Sequence, residues 1–497
     1  MIGNPYSRRS PPGVREDRSS RSTAAVEPDA ASRLSWKAVL AGALICACVH
    51  EPAGLGSFAA PEFVHERVAA GPHNVLSLIV TAGVRHADSV AVRLAVMDAG
   101  AGEDIVTAAV AVRADSVRVP VLGLRPDRAY LLHAVAWGPG GTATGSVLPA
   151  MTGSLPSDLP SWAAGGPDPS PGFVVFATVS YGVVIDNTGR IVWYRRFPNG
   201  PGLNFMTQPT GHYVVRPPTP DPTDVEPWLE LDALGDVTRT LGCARGLPSR
   251  FHDLISEPDG SYWILCDETR AMDLSPLGGM SAARVTGTVV QHVSADGVLM
   301  FEWSAFDHFE LTDLDSAERR GANVNWTHGN ALDFDADGNL ILSFRSLGEI
   351  TKINAQTGEI VWRMGGRRNQ FTFLDTPVPA FSRQHSVRAT GPGRLLLLDN
   401  VGDPGQSQAE RYVVDESDRS ARLVQWRAAG PGRVTVIGGS VQDLPDGRML
   451  AAFGTAGRVE EYDAAGRVVW SITGDAGYVF RAQRIQSLYA PGAGSAR

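Results

Sequence analysis

Three histidines stand at the same place in three successive repeats of the chain. His252 in FHDL, His328 in WTHGN and His385 in RQHSVR each open an apolar strand about eight to ten residues ahead of a turn glycine, at Gly260, Gly338 and Gly393. Arg345 ends the strand that follows His328, at the close of NWTHGNALDFDADGNLILSFR. A strand, a tight turn and a strand bring the chain back to the level it left, so Arg345 is expected beside His328. Equivalent positions in a circular repeat point at a common axis, which would bring three imidazoles and one guanidinium together.

Three chemistries fit that set. Histidine triads bind zinc or copper, but Arg345 would place a positive charge beside the metal, and Asp253, the only neighbouring carboxylate, alternates away from His252. The rings could instead satisfy backbone groups at strand ends. In the third reading a guanidinium forks onto the oxygens of a sulfuryl or phosphoryl group while a neutral imidazole nitrogen attacks its centre.

The elements that must position these residues repeat as well. An apolar strand, a polar turn usually ending in Gly and a second strand bearing Trp recur as IDNTGRIVW, SADGVLMFEW, NAQTGEIVW, DESDRSARLVQW and DAAGRVVW. Trp193, Trp303, Trp362 and Trp470 fall on one face of their strands by even spacing, and Trp426 joins them by pattern although its turn lacks the glycine. A more apolar element precedes most of these: SEPDGSYWIL, DFDADGNLILSF, ATGPGRLLLLD and DLPDGRMLAAF. Paired, the two kinds give about six four-stranded units between Gly172 and Gly474, which close into a β-propeller; Gly202 to Leu241 matches the pattern least. The expected fold class is therefore all-β, a six-bladed propeller preceded by a small β-sandwich.

FHDL, WTHGNALDFDADGNLILSFRSLGEITKINAQTGEIVWRMGG, RQHSVR and the closing FRAQRIQSLY resemble the corresponding motifs of the bacterial arylsulfate sulfotransferases. These are propeller enzymes that work without a nucleotide sulfate donor. The resemblance covers roughly Gly172 to Tyr489 and is most specific from Asn325 to Gly366 and at Gln384-His385. It implies that His385 is the nucleophile and becomes a transient sulfohistidine. His252, His328 and Arg345 would hold the sulfuryl oxygens, one histidine serving as acid or base. An aryl sulfate and a phenol are the implied small-molecule partners, with no metal and no diffusible cofactor. Phe371, Phe373 and Phe381 in the loop before His385 are candidates to stack on the substrate ring, or else simply pack that loop. One departure is that Gly366 to Gln384 has no cysteine, where enterobacterial members carry a short-loop disulfide. Two other classes also use such repeats: quinone-dependent dehydrogenase propellers and non-catalytic exported propellers that bind glycans or proteins.

The rest of the chain frames this region. Residues 1–48 read as a Ser/Arg/Pro-rich leader followed by the apolar run Ala38 to Cys48, too short to span a bilayer but suited to an export signal. Its ICAC end resembles a lipoprotein box with Cys48 as the lipidated residue, so a periplasmic or envelope-anchored product is expected. Cys243 and Cys266 then remain, and an exported setting permits a disulfide that braces the loop of His252; two buried free thiols are the alternative. Residues 70–153 alternate as a β-sandwich, whose Leu122 to Tyr130 turn is similar to the corner of fibronectin type III domains. Such modules bind, space or dimerise, so a homodimer is an open expectation. Residues 154–171 read as a linker and 172–490 as the propeller. A net charge of −9 over 497 residues argues against a general nucleic-acid binder, and any anion must be met by a local cationic pocket.

Overall fold

The computed structural model describes residues 58–96, 105–218, 227–376, 380–402 and 405–490. The stretch 1–48, read above as a leader and export signal ending at Cys48, lies outside the described residues. The described chain is nearly all β, with one α-helical turn at Ala305–His308 and a few short 3-10 turns.

The first described elements form two facing sheets. Glu62–Ala70, Leu78–Arg85 and Ser116–Val121 make one; Ser89–Val96 and Ala129–Gly138, with shorter partners, make the other. Alternate residues of SVRVPV point inward, and Val80, Val92, Val119, Leu132 and Ala134 form a closed core between the sheets. The buried Tyr130 accepts a hydrogen bond from the Arg125 backbone N–H five residues upstream, at 2.8 Å, which pins the turn between them. In the stretch expected as a linker, Ala164–Gly165 adds a short strand to a later sheet by pairing with Ser471 and Ile472.

From Phe173 onward the described strands form six sheets, each with four antiparallel strands at heart. In the first, Ala482–Ile485 near the end of the chain pairs with Phe173–Ala177, so the two ends of this region are tied within one sheet. The poorly patterned Gly202 to Leu241 stretch supplies the second, with short strands Phe205–Thr207, Tyr213–Val215, Trp228–Leu231 and Val237–Leu241. Polar side chains stitch each innermost strand to the next. Asp253 Oδ2 accepts from Leu332 N at 3.1 Å, Asp333 Oδ2 from Ala389 N at 2.9 Å, and Asn330 Nδ2 donates to the Gln384 carbonyl at 2.7 Å.

Trp193, Trp303, Trp362 and Trp470 are fully buried between neighbouring sheets, whereas Trp426 is 50% exposed. The expectation that Trp426 shares their face is thus corrected, and the reason is parity. Each outer strand pair carries a register shift. Trp193, Trp362 and Trp470 stand immediately beside it and Trp303 stands two residues away, but Gln425 lies between Trp426 and its shift. Because side chains alternate, one extra residue turns the ring to the opposite face.

Candidate active site

His252 lies within Ser249–Ser256, His328 directly precedes Gly329–Phe334 and His385 opens His385–Gly391, the innermost strands of three consecutive sheets. All three starts are bulged. Register is lost between Ser249 and Leu254, between Gly329 and Ala331, and between His385 and Arg388. His328 and Ser386 have positive φ, at 52° and 56°, a conformation side chains rarely adopt and one that re-aims the strand at this spot.

The bulges bring the rings together. His252 and His328 lie 4.9 Å apart by ring centroids with their Nε2 atoms 3.3 Å apart, so one ring donates its proton to the lone pair of the other. His252 and His385 are 6.3 Å apart. Asn325 meets His328 Nδ1 at 2.6 Å, and Arg250 Nε lies 3.4 Å from His252 Nδ1. His385 Nδ1 lies 2.8 Å from Asn400 Oδ1 and 3.0 Å from the Arg383 carbonyl. Phe480 lies edge-on to both His252 and His385, and Phe251 stacks on His252 at 4.1 Å.

The environment keeps the imidazoles neutral. Burial, more than any neighbouring charge, drives His385 down to about 4; Arg345 and Arg481 push the same way and the Asn400 contact opposes them. His252 and His328 are held far below the ordinary histidine value by burial and then by Arg250 and the other cationic neighbours.

Four guanidiniums surround the rings, and they are not alike. Arg250 pairs with Asp267, Arg383 with Glu318 and Arg481 with Asp253. Arg345 has no carboxylate partner among the described residues. Its Nη2 donates to the Val436 carbonyl at 3.1 Å, while its Nε is buried without a partner. A charged donor left unsatisfied at a site is where an anion would be accepted. Among the described residues no cluster of His, Cys, Asp and Glu has the geometry to hold a metal ion.

The structure therefore brings together His252, His328, His385 and Arg345. It does not bring Phe371 and Phe373 there, which corrects their assignment as candidate substrate contacts. Thr372–Leu374 pairs with Ser420–Ala428 on the outer edge of the fifth sheet, at the far end from His385–Gly391. Phe371 packs on Trp362 and Phe373 on Phe381 and Tyr412, in the core between sheets. Cys243 and Cys266 are joined by a disulfide, and Cys266 stands opposite Ser249 at the base of the strand that carries His252. The segment 305–322, which links the strands Leu299–Ser304 and Asn323–Asn325, lies on the histidine face, because its Glu318 pairs with Arg383, two residues before His385. Asn400, Arg250 and Arg383 are site residues that the sequence reading missed. Asn400 was detectable as the repeat equivalent of Arg345, and the other two only by flanking His252 and His385.

Residues 247–475 match the family model described as Arylsulfotransferase (ASST). No curated protein matches the chain. Similar solved structures include a protein of unknown function from Bacteroides caccae, 13% identical, covering 63% of this chain and 98% of that one with a TM-score of 0.38. A catalytically inactive virginiamycin B lyase from Staphylococcus aureus is 11% identical over 62% and 87%, with a TM-score of 0.34. A calcium-binding protein, regucalcin, from Agrobacterium tumefaciens is 13% identical over 65% and 95%, with a TM-score of 0.33. Likeness at these scores carries no argument about the activity of this chain.

Proposed function

Because the segment 247–475 belongs to the arylsulfotransferase family, we propose that this chain moves a sulfuryl group from an aryl sulfate to a phenol in two steps through His385. The observation that carries the reading is Arg345, the one guanidinium at the rings with no carboxylate partner among the described residues and a buried Nε to offer. A guanidinium with no carboxylate of its own suits the anionic oxygens of a sulfate monoester.

In the first step the His385 Nε2 lone pair attacks sulfur, the bond from sulfur to the aryl oxygen breaks, and the phenolate leaves with the electron pair. Phenolate is a stable leaving group and needs little help from an acid. Arg345 faces the equatorial oxygens, whose charge it stabilises through the transfer. In the second step the acceptor phenol gives its proton to the His252 and His328 pair, its oxygen attacks sulfur, and the electron pair of the N–S bond returns to Nε2. Val436 and Ile437, 55% and 47% exposed beside Arg345, are apolar surface for the aryl ring.

The same reading takes the six sheets as a six-bladed propeller and the sheets before them as a fibronectin type III-like module. It takes the protein as exported. Support for these lies in the sheets of four antiparallel strands, in the Tyr130 hydrogen bond and in the disulfide. The test is to incubate the protein with 4-nitrophenyl sulfate, with and without phenol, beside His385→Ala. Phenol-dependent nitrophenol release that the variant lacks is expected; release that survives in the variant, or no release at all, refutes the proposal.

A further inference from the structure

We infer that Asn400 is a positioning residue that holds the His385 proton on Nδ1 and thereby keeps the Nε2 lone pair aimed into the site. The inference rests on the reading above of His385 as nucleophile, and it starts from a question of orientation. An asparagine amide can face either way, and only its partners decide which end is oxygen. Asn400 is fully buried, and its Nδ2 lies 2.8 Å from the Thr435 carbonyl and 2.9 Å from the Gly438 carbonyl. Two carbonyls accept and cannot donate, so the NH2 group must face them.

Oδ1 is then left facing His385 Nδ1 at 2.8 Å, and oxygen there can only accept. The Arg383 carbonyl, 3.0 Å from the same nitrogen, is a second acceptor. The ring proton is therefore on Nδ1. Both hydrogen-bond contacts of the His385 ring among the described residues are made by Nδ1, which leaves Nε2 free.

The carbonyls that orient Asn400 are themselves held. Gly438 has φ +67°, and a Cβ there would stand 2.5 Å from Tyr478 Oη and 3.0 Å from Phe480 Cδ2, so the backbone approaches as only glycine allows. The Thr435 backbone N–H donates to Ser407 Oγ at 2.8 Å, and Ser407 Oγ donates to the Asn400 carbonyl at 2.7 Å, which closes a loop around the amide.

The neutral amide matters in the second half of the reaction. Once Nε2 carries the sulfuryl group with the proton still on Nδ1, the ring is a cation, and Nε2 leaves sulfur readily as the electron pair returns to it. An amide oxygen accepts the hydrogen bond but does not take the proton. A carboxylate in its place would take it and leave a neutral, slower leaving group.

The test uses the full chain with 15N-labelled histidine. At pH 7 the long-range 1H–15N spectrum reports which nitrogen of each ring is protonated, and the His385 signals are those lost in His385→Gln. The expected spectrum shows Nδ1 protonated and Nε2 bare; a protonated Nε2 overturns the inference whatever the activity. Asn400→Leu is expected to populate the other tautomer and to lower kcat by about 10²–10⁴-fold with KM within about threefold. A folded Asn400→Leu protein with the native tautomer and native kcat also overturns it, because the Arg383 carbonyl would then suffice. Should that variant not fold, the wild-type spectrum still decides the tautomer, and Asn400→Ser, which keeps a small polar group, supplies the comparison. The spectrum does not depend on turnover. The expected tautomer in a protein that transfers no sulfuryl group upholds the positioning and removes only the proposed reaction.

Discussion

Arg345 and Asn400 occupy the same place in successive sheets. Each directly follows the second strand of its sheet, Leu340–Phe344 or Arg394–Asp399, and each returns to the histidine that opens the sheet. The Arg345 backbone N–H donates to the His328 carbonyl at 3.0 Å, and Asn400 Oδ1 accepts from His385 Nδ1. One repeat position thus supplies the anion-facing charge in one sheet and the ring-orienting amide in the next.

If Arg345 stabilises the sulfuryl oxygens, Arg345→Ala lowers kcat/KM by about 10²–10³-fold, the scale of losing an oxyanion donor. Arg345→Lys recovers little, because a point charge does not reproduce a planar fork. Steady-state kinetics on an aryl sulfate check this, and since the Arg345 guanidinium pairs with no carboxylate among the described residues, the melting temperature should hardly change. Equal activity in the Lys variant would count against bidentate binding.

The pH profile is displaced towards acid. His385 is depressed to about 4, so its lone pair persists well below the ordinary histidine range and the acid limb of kcat/KM falls near that value. An acid limb near 6.5 would show a solvated ring. The unfolded histidines take up protons near 6.5 while the folded ones do not, so stability is fully present above that pH and is lost below it. The loss is about 1.4 kcal/mol per pH unit per histidine, readable as a falling urea midpoint between pH 7 and 5.

The Cys243–Cys266 disulfide closes a loop with a sequence separation of 23. Replacing both cysteines by serine is expected to cost about 3 kcal/mol of unfolding free energy, from the added freedom of the unfolded chain. Chemical denaturation of the two proteins measures the difference, and an unchanged midpoint would mean the bond constrains little.

Two tryptophans with the same sequence signature should respond differently. Trp362 is 1% exposed, and Trp362→Ala is expected to cost about 3–5 kcal/mol. Trp426 is 50% exposed, and Trp426→Ser should stay within about 0.5 kcal/mol. Comparable losses in the two variants would place Trp426 in a packed setting.

Phe371→Ala and Phe373→Ala should lower stability while leaving KM for an aryl sulfate within about twofold, because both rings pack between sheets rather than at the histidines. A rise in KM without loss of stability would restore them to the substrate site.

Strand alternation, turn glycines and the even spacing of Trp193, Trp303, Trp362 and Trp470 were legible in the sequence, because they are local and repeat. So was the convergence of His252, His328, His385 and Arg345, since repeat-equivalent residues face a common centre in any closed array. What the local pattern could not carry was anything set by a bulge or by a partner far along the chain. One extra residue before a register shift turned Trp426 outward, and no composition signal marks that shift. Phe371 and Phe373 lie close to His385 in sequence, yet their segment pairs with the strand farthest from it. The segment 305–322 was assigned to the histidine face only by the Glu318 pair with Arg383. Asn400 owes its orientation to carbonyls 35 and 38 residues ahead of it, brought into reach by the packing of one sheet on the next. Periodicity determines which residues share a face; hydrogen bonds between distant segments determine which atom of each residue faces the site.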